Sequence, residues 1–413
     1  MNENVTDSTP EDVAAVRAHD AETLRRMGYA QELARRMSGF SNLAISLSII
    51  CVLAGGLTSF HLGYCSVGGA AIGVGWPLAC TMSLAVAAAM AQLASAFPTA
   101  GGLYHWAAIL GGRGWGWVTA WFNIVGLVTV LAAINVGTFE FLMRAFRPDV
   151  TPSLTLQLAI VGAITVSQAI LNHLGIRLTT RLTDFSGYWI LAVSFVLTLA
   201  LLAVTKSFDL SRLVTFSNFS GLPEASPVWP ATSSIGWLFA LGLLLPAYTI
   251  TGFDASAHVA EETLNADQTV PIGIVRSVLV SGIAGWIMLS AIVLAIPDPV
   301  EAAVLGSGVF FGTLRALFPE TVVHLLCGAI VVAQYLCGLA TVTSASRMAY
   351  AFARDGGLPF SKSLRTVHPE LKTPVAAIWT VSAASFLFTI YSPVYSTITA
   401  VCTISLYISY VLP

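Results

Sequence analysis

Apolar residues run in long stretches along this chain, and polar residues gather between them. Stretches at 42–64, 70–97, 116–142, 154–174, 186–204, 233–258, 275–296, 321–352, 374–391 and 394–412 are close to the roughly 20 residues that cross about 30 Å of hydrocarbon as a helix. In lipid every backbone N–H and C=O must be satisfied, and a helix does this within one segment. The pattern therefore predicts an all-α polytopic membrane protein with ten transmembrane helices.

Two of the spans are interrupted near their middles. The first carries Ala54, Gly55, Gly56, Leu57, Thr58 and Ser59, and the sixth carries Tyr248, Thr249, Ile250, Thr251, Gly252, Phe253 and Asp254. They open two sets of five helices. Irregular backbone is tolerated in a membrane only where it is buried in protein or lines a cavity, and many transporters break the first helix of each inverted repeat to expose N–H and C=O groups to a solute. The competing reading of Gly55 and Gly56 is close packing, since small residues let helix backbones approach. The matching interruption in the sixth span favours two broken helices.

Composition agrees with the hydropathy pattern. Of 413 residues, 56% are hydrophobic and 10% charged, with a mean hydropathy of +0.79, whereas soluble domains carry about 25% charged residues. Charge then orients the chain. With the N-terminus inside, fourteen of the 19 Lys and Arg residues fall in inner segments and five (Arg144, Arg147, Lys206, Arg212, Arg315) in outer ones, which predicts a cytoplasmic N-terminus. The six cysteines lie in or beside apolar stretches without metal spacing. No cofactor, metal or nucleic-acid partner is expected. Residues 1–38 are polar and begin acidic, unlike a signal peptide; they read either as an interfacial helix built on Leu24, Met27 and Leu33 or as a disordered tail. Residues 39–413 read as one transmembrane domain. The chain stops at Pro413 directly after a span, which reads as a truncated form.

Three local stretches carry a family resemblance. The first runs from Gln92 to Trp106 and holds Pro98, Gly101, Gly102 and Tyr104. The second runs from Gly252 to Thr263, with Phe253, Asp254, His258, Glu261 and Glu262. The third runs from Ser346 and Arg347 through Tyr350, Arg354, Asp355, Gly356 and Pro359 to Thr373 and Pro374. The sequence resembles the amino acid, polyamine and organocation permease superfamily, most closely the branch that includes γ-aminobutyrate, choline and amino acid permeases. The resemblance implies a LeuT-type fold of 5+5 inverted repeats, with helices 1 and 6 broken and helices 1, 3, 6, 8 and 10 around the solute. Gln92 departs from the glutamate of many relatives, and the two helices that usually follow the tenth are missing.

The function expected is secondary active transport of an amino acid or related small amine by alternating access across the plasma membrane. The solute class covers amino acids, γ-aminobutyrate, choline and polyamines, with H⁺ or Na⁺ as coupling ion. A zwitterion loses its hydration on entering protein, and the dipoles of broken helices replace it. Gly55 and Gly56 are expected to cradle the carboxylate. Tyr248, Thr249, Thr251, Gly252 and Phe253 would form the facing wall, with an aromatic ring able to cover a cationic head. Asn123 is either a ligand or interhelical glue.

Asp254 is an acid within the apolar part of the sixth span, which marks it as a functional candidate. It can bind an amine, carry a proton or brace the inner half of the helix; brace or gate is favoured because it lies past the break. His258, one turn on, is a proton carrier or a buried hydrogen-bonding residue. Glu261 and Glu262 are expected to form a gate with Arg113, Arg347 or Arg354, with solvated loop charges as the alternative. Arg347 stands out because it lies near a membrane end. Thr341, Thr343 and Ser344 match the region of a cation site in sodium-coupled relatives, although hydroxyls are also ordinary packing residues there. No constellation of nucleophile and base suggests an enzyme. A transporter-derived sensor, binding solute without net flux, is the alternative function.

Overall fold

The structure, a computed structural model, describes residues 10–413. The acidic start of the N-terminal segment, up to residue 9, lies outside the described residues. Among the described residues the secondary structure is helical, with one isolated β-bridge between Met37 and Thr263 and no strand. In chain order the helices are α1 (Pro10–Arg26), α2 (Gly39–Ile50), α3 (Phe60–Val67), α4 (Trp76–Ala96), α5 (Leu103–Gly111), α6 (Arg113–Phe146), α7 (Leu154–His173), α8 (Ile176–Val204) and α9 (Ile235–Gly242). They continue as α10 (Leu244–Thr249), α11 (Ala255–His258), α12 (Ala266–Ala295), α13 (Pro299–Val304), α14 (Val309–Leu317), α15 (Glu320–Arg354), α16 (Ser361–Leu364), α17 (Val375–Tyr391) and α18 (Tyr395–Val411).

Among the described residues, seven helices are long and apolar enough to cross a membrane, and three shorter apolar helices, Ile235–Thr249, Val375–Tyr391 and Tyr395–Val411, join them. The chain is thus a multi-pass membrane protein. Its helices divide into inner and outer ones. In the most apolar window of each, 83% of residues are buried inside the protein for Gly39–Gly56 and 67% for α15, against 22% for α7. The first span and α15 therefore pack against protein, while most of α7 is left for lipid. Within this arrangement α6 packs on α15 and α18, and α12 on α2 and α4.

Two helix starts differ most from the hydropathy reading. α8 begins at Ile176 rather than 186, and α12 at Ala266 rather than 275. Arg177 and Arg181 before the one run, and Asp267 and Gln268 before the other, break the apolar pattern, but a helix continues through polar turns whenever one of its faces still packs. Ile176, Thr179 and Thr183 are buried on α8.

The two interruptions are backbone breaks. In the first span α2 stops at Ile50, Val52–Gly56 widens into a π-type turn, and α3 starts at Phe60. In the sixth, α10 ends at Thr249, residues 250–254 leave the helix, and α11 resumes at Ala255. Gly252 sits there at φ +88°, a left-handed conformation that glycine adopts without a Cβ penalty.

The N-terminal segment docks on the end of the bundle where the sixth span finishes. Asp20 accepts the N–H groups of Asn265 and Ala266 at 2.9 and 3.2 Å, capping the first turn of α12, whose amides lack intrahelical partners. Arg35 donates to the carbonyls of Ala260 and Thr263 at 3.1 and 2.7 Å, and Leu24 and Leu33 are buried. This end is called the N-terminal face below.

Candidate substrate and gating site

The two breaks lie against each other because glycine leaves room for them. A Cβ on Gly55 would come within 3.0 Å of the Cα and Oγ1 of Thr249, and a Cβ on Gly252 within 2.2 Å of Cγ2 of Ile49. Gly56 faces a different neighbour, the methyls of Leu289 on α12 at 3.6 and 3.7 Å. The Gly55 N–H donates to the Cys51 carbonyl at 3.0 Å. Side chains of α2 then stitch the two spans together. Ser46 Oγ donates to the Phe253 carbonyl at 3.1 Å and accepts the Ser256 N–H at 3.0 Å. Asn42 donates to the Ser256 carbonyl at 3.0 Å.

On the side of the breaks away from the N-terminal face, Tyr395 at the start of α18 closes over α3. Its hydroxyl bonds Thr58 Oγ1 at 2.6 Å and Ser59 Oγ at 3.0 Å, and its ring meets Tyr248 edge-on with centroids 6.2 Å apart. Thr249 and Thr251 turn their hydroxyls back to the carbonyls of Leu245 and Tyr248, each at 2.8 Å. Phe253 is buried and packs on the Tyr410 ring, centroids 4.7 Å apart.

Asp254 is fully buried and meets two donors and one imidazole nitrogen from three helices. The Tyr410 hydroxyl on α18 donates to Oδ1 at 2.8 Å, and Asn123 Nδ2 on α6 donates to Oδ2 at 3.1 Å. His258 Nε2 on α11 stands 3.2 Å from the same Oδ2. Tyr410 also accepts the Gly252 N–H at 2.9 Å, so one hydroxyl joins the break to the acid. Asn123 Nδ2 has a second contact with Ser409 Oγ at 3.3 Å, and its Oδ1 lacks a partner among the described residues. The other ring nitrogen of His258, Nδ1, lies 3.2 Å from the Ala100 carbonyl.

One turn further on, two bidentate ion pairs lie at the N-terminal face. Arg347 on α15 donates Nε and Nη2 to Glu262 at 2.9 and 3.0 Å, with both side chains wholly buried. Arg354 donates Nη1 and Nη2 to Glu261, each at 2.9 Å, and Glu261 also accepts the Ala100 N–H at 3.1 Å. Arg113, at the exposed start of α6, is a partner of neither acid. The Arg354 guanidinium lies 4.0 Å from the Tyr29 ring centroid, and the Tyr29 hydroxyl donates to Asp355 at 3.0 Å. Burial, helped by the Asp355 charge, holds the Tyr29 phenol above its ordinary range, so it remains a donor.

The hydroxyls of the suggested cation region are largely engaged. Thr341 donates to the Cys337 carbonyl at 2.9 Å, and Thr343 donates to Asn172 Oδ1 at 2.7 Å. Ser344 Oγ is buried with no partner among the described residues. Gln92 is exposed on the surface of α4. The six cysteines are free thiols, and all but the half-buried Cys80 are buried.

Sequence reasoning missed Tyr410, Tyr395, Ser46 and Ala100. Ala100 acts through its peptide group, which no side-chain pattern announces. Tyr407 and Tyr410, one turn apart in the last apolar span, were the available signal for a phenol buried inside the bundle.

Comparison with known proteins agrees with this architecture. The profile of the amino acid permease family matches residues 37–413. The rice (Oryza sativa subsp. japonica) protein named amino-acid permease BAT1 homolog is 34% identical over 94% of this chain and 78% of its own length. Amino-acid permease BAT1 of Arabidopsis thaliana is 34% identical over 94% and 79%. The GABA-specific permease of Saccharomyces cerevisiae is 29% identical over 91% and 66%. These relatives are named as permeases rather than enzymes. The chain belongs to the amino acid permease family.

Proposed function

We propose that the chain is a secondary active transporter that carries an amino acid or related small amine across the plasma membrane by alternating access. In this reading residues 39–413 form one transmembrane domain of LeuT-type 5+5 inverted repeats, and the residues before it form a cytoplasmic segment. The observation that carries the reading is the juxtaposition of two backbone breaks inside the bundle, Val52–Gly56 against 249–254. Breaking a helix in a membrane frees N–H and C=O groups that cost several kcal/mol each if left unsatisfied, so their arrangement around a polar solute is the productive use of that cost. Gly55, Gly56, Thr249, Thr251, Gly252 and Phe253 are the proposed lining, with Tyr248 and Tyr395 on the side away from the N-terminal face.

The ion pairs Glu262–Arg347 and Glu261–Arg354 are the proposed cytoplasmic gate. Opening toward the cytoplasm requires both to separate and to exchange partners for water. The names of the plant and yeast relatives point to amino acids and γ-aminobutyrate as the first solutes to try. Purified full-length protein in proteoliposomes should accumulate one or more radiolabelled amino acids or γ-aminobutyrate and show counterflow with the same solute. Saturable binding with neither uptake nor counterflow would replace the transporter with a sensor.

A further inference from the structure

The contacts of His258 set a condition on its protons. The Ala100 carbonyl can only accept, so Nδ1 at 3.2 Å must carry a hydrogen. That leaves Nε2 facing Asp254 Oδ2 at 3.2 Å. A neutral imidazole with its hydrogen on Nδ1 would turn a lone pair toward a carboxylate oxygen, two acceptors in contact in a fully buried place. The contact needs a hydrogen between Nε2 and Oδ2, either as imidazolium with carboxylate or as imidazole with carboxylic acid. Both forms hold one proton more than neutral histidine with ionised aspartate, and both leave the pair without net charge, as burial requires.

We propose that Asp254 and His258 form a one-proton site whose occupancy ties the turn at 97–102 to the broken sixth span. With the proton bound, His258 has two N–H groups or their equivalent and holds Ala100 and Asp254 together. With the proton released, one N–H serves two acceptors and one contact is given up. The step is a proton transfer alone: the pair loses H⁺ to water admitted as the N-terminal face opens and becomes neutral imidazole with carboxylate. The Ala100 peptide passes the change on, because its N–H binds Glu261 at 3.1 Å and Glu261 in turn holds Arg354. On the other side Asp254 holds Tyr410, which accepts the Gly252 N–H of the break. One proton is thus connected both to the gate and to the proposed solute wall.

The neighbouring charges leave this assignment intact. Glu261 and Glu262 are each matched by an arginine of α15. From α18, Tyr410 donates to Asp254 and Tyr407 bonds Ser83 instead. From α5, Tyr104 donates to Asp355 and His105 bonds Thr99. From α12, Asp267 faces His19. The contacts from α6 and α2 come from the uncharged Asn123, Ser46 and Asn42.

The role in coupling rests on the transporter reading; the proton site does not, and the two are separable by experiment. A full-length variant keeping His258 as the sole histidine, with the other six of the seven replaced, is labelled with ¹⁵N-histidine and studied in lipid bilayers. At neutral pH the site predicts two protonated ring nitrogens, or one together with a carboxylic acid infrared band that Asp254→Asn removes. One protonated nitrogen and no such band overturns the site whether or not the protein transports. In proteoliposomes, His258→Gln should keep counterflow within about threefold of the parent while accumulation driven by a pH gradient falls about tenfold or more, because an amide does not titrate. Gradient-driven accumulation at the parent level overturns the coupling role. If His258→Gln is not recovered folded, Asp254→Asn reads the same division between counterflow and accumulation.

Discussion

Tyr410 carries two jobs on one oxygen, since it accepts the Gly252 N–H and donates to Asp254. Tyr410→Phe leaves a buried N–H at the break without its acceptor and takes one donor from a buried acid. An unsatisfied buried group costs about 1–3 kcal/mol, so the variant is expected to melt earlier by that amount, measured on purified protein in detergent. Asp254→Asn should act in the same direction for a related reason. An amide offers one acceptor oxygen where the carboxylate offered two, and its N–H₂ meets the N–H₂ of Asn123. Loss of a hydrogen bond to a charged group costs about 1.5–3 kcal/mol, expected here as lower thermal stability with solute affinity nearly unchanged. A large fall in affinity at an unchanged melting temperature would make Asp254 a ligand instead of a brace. A carboxylate in an apolar run is visible in the sequence as a residue in need of partners. Which partners it finds is not visible, because Tyr410 lies 156 residues away, and paired tyrosines announce a buried phenol without saying what it meets.

At the scale of elements, the broken spans were legible from the glycines, but their roles divide in a way the sequence does not express. Gly252 needs both a left-handed φ and an empty space beside Ile49, Gly55 needs space beside Thr249, and Gly56 meets only flexible leucine methyls at ordinary distance. Alanine substitutions should therefore rank in that order. Gly252→Ala combines overpacking, about 1–3 kcal/mol, with about 1–2 kcal/mol for the left-handed backbone; Gly55→Ala has the first cost alone, and Gly56→Ala should be close to neutral. Thermal midpoints of the three purified variants check the order, and equal losses at Gly55 and Gly56 would contradict the close approach at Thr249. The proposed gate gives a second ranking. Arg347 and Glu262 are wholly buried, so Arg347→Met leaves an unpaired buried charge and is expected to cost about 3–5 kcal/mol, partly recovered by adding Glu262→Gln. Failure of the second change to recover stability would mean that Arg347 acts through packing. Three arginines suited these acids by charge alone. Helix geometry chooses among them, since α15 brings Arg347 and Arg354 to one face while Arg113 starts another helix.

For the whole molecule, one line predicts an orientation and a second says which segments share it. One is the excess of Lys and Arg in alternate connecting segments, which insertion retains in the cytoplasm. The other is contact: the N-terminal segment, the end of the sixth span and the end of α15 meet through Asp20 with Asn265, Arg35 with Ala260 and Tyr29 with Asp355. These regions share a face whatever side of the membrane it occupies, so labelling two positions orients all of them. Ser363 and Ala225 are exposed, on the connections after α15 and after α8. Between them in sequence lie the sixth and seventh spans and α15, an odd number of crossings, so they must open on opposite sides. In a background without the native cysteines, an impermeant thiol reagent added to intact cells should modify Ala225→Cys and spare Ser363→Cys until the membrane is permeabilised. Labelling in the reverse pattern would turn the molecule over and make the Glu262–Arg347 and Glu261–Arg354 pairs an outer gate. Labelling of both in intact cells would mean that the short helix Ile235–Thr249 fails to cross, because equal accessibility requires an even number of spans between them.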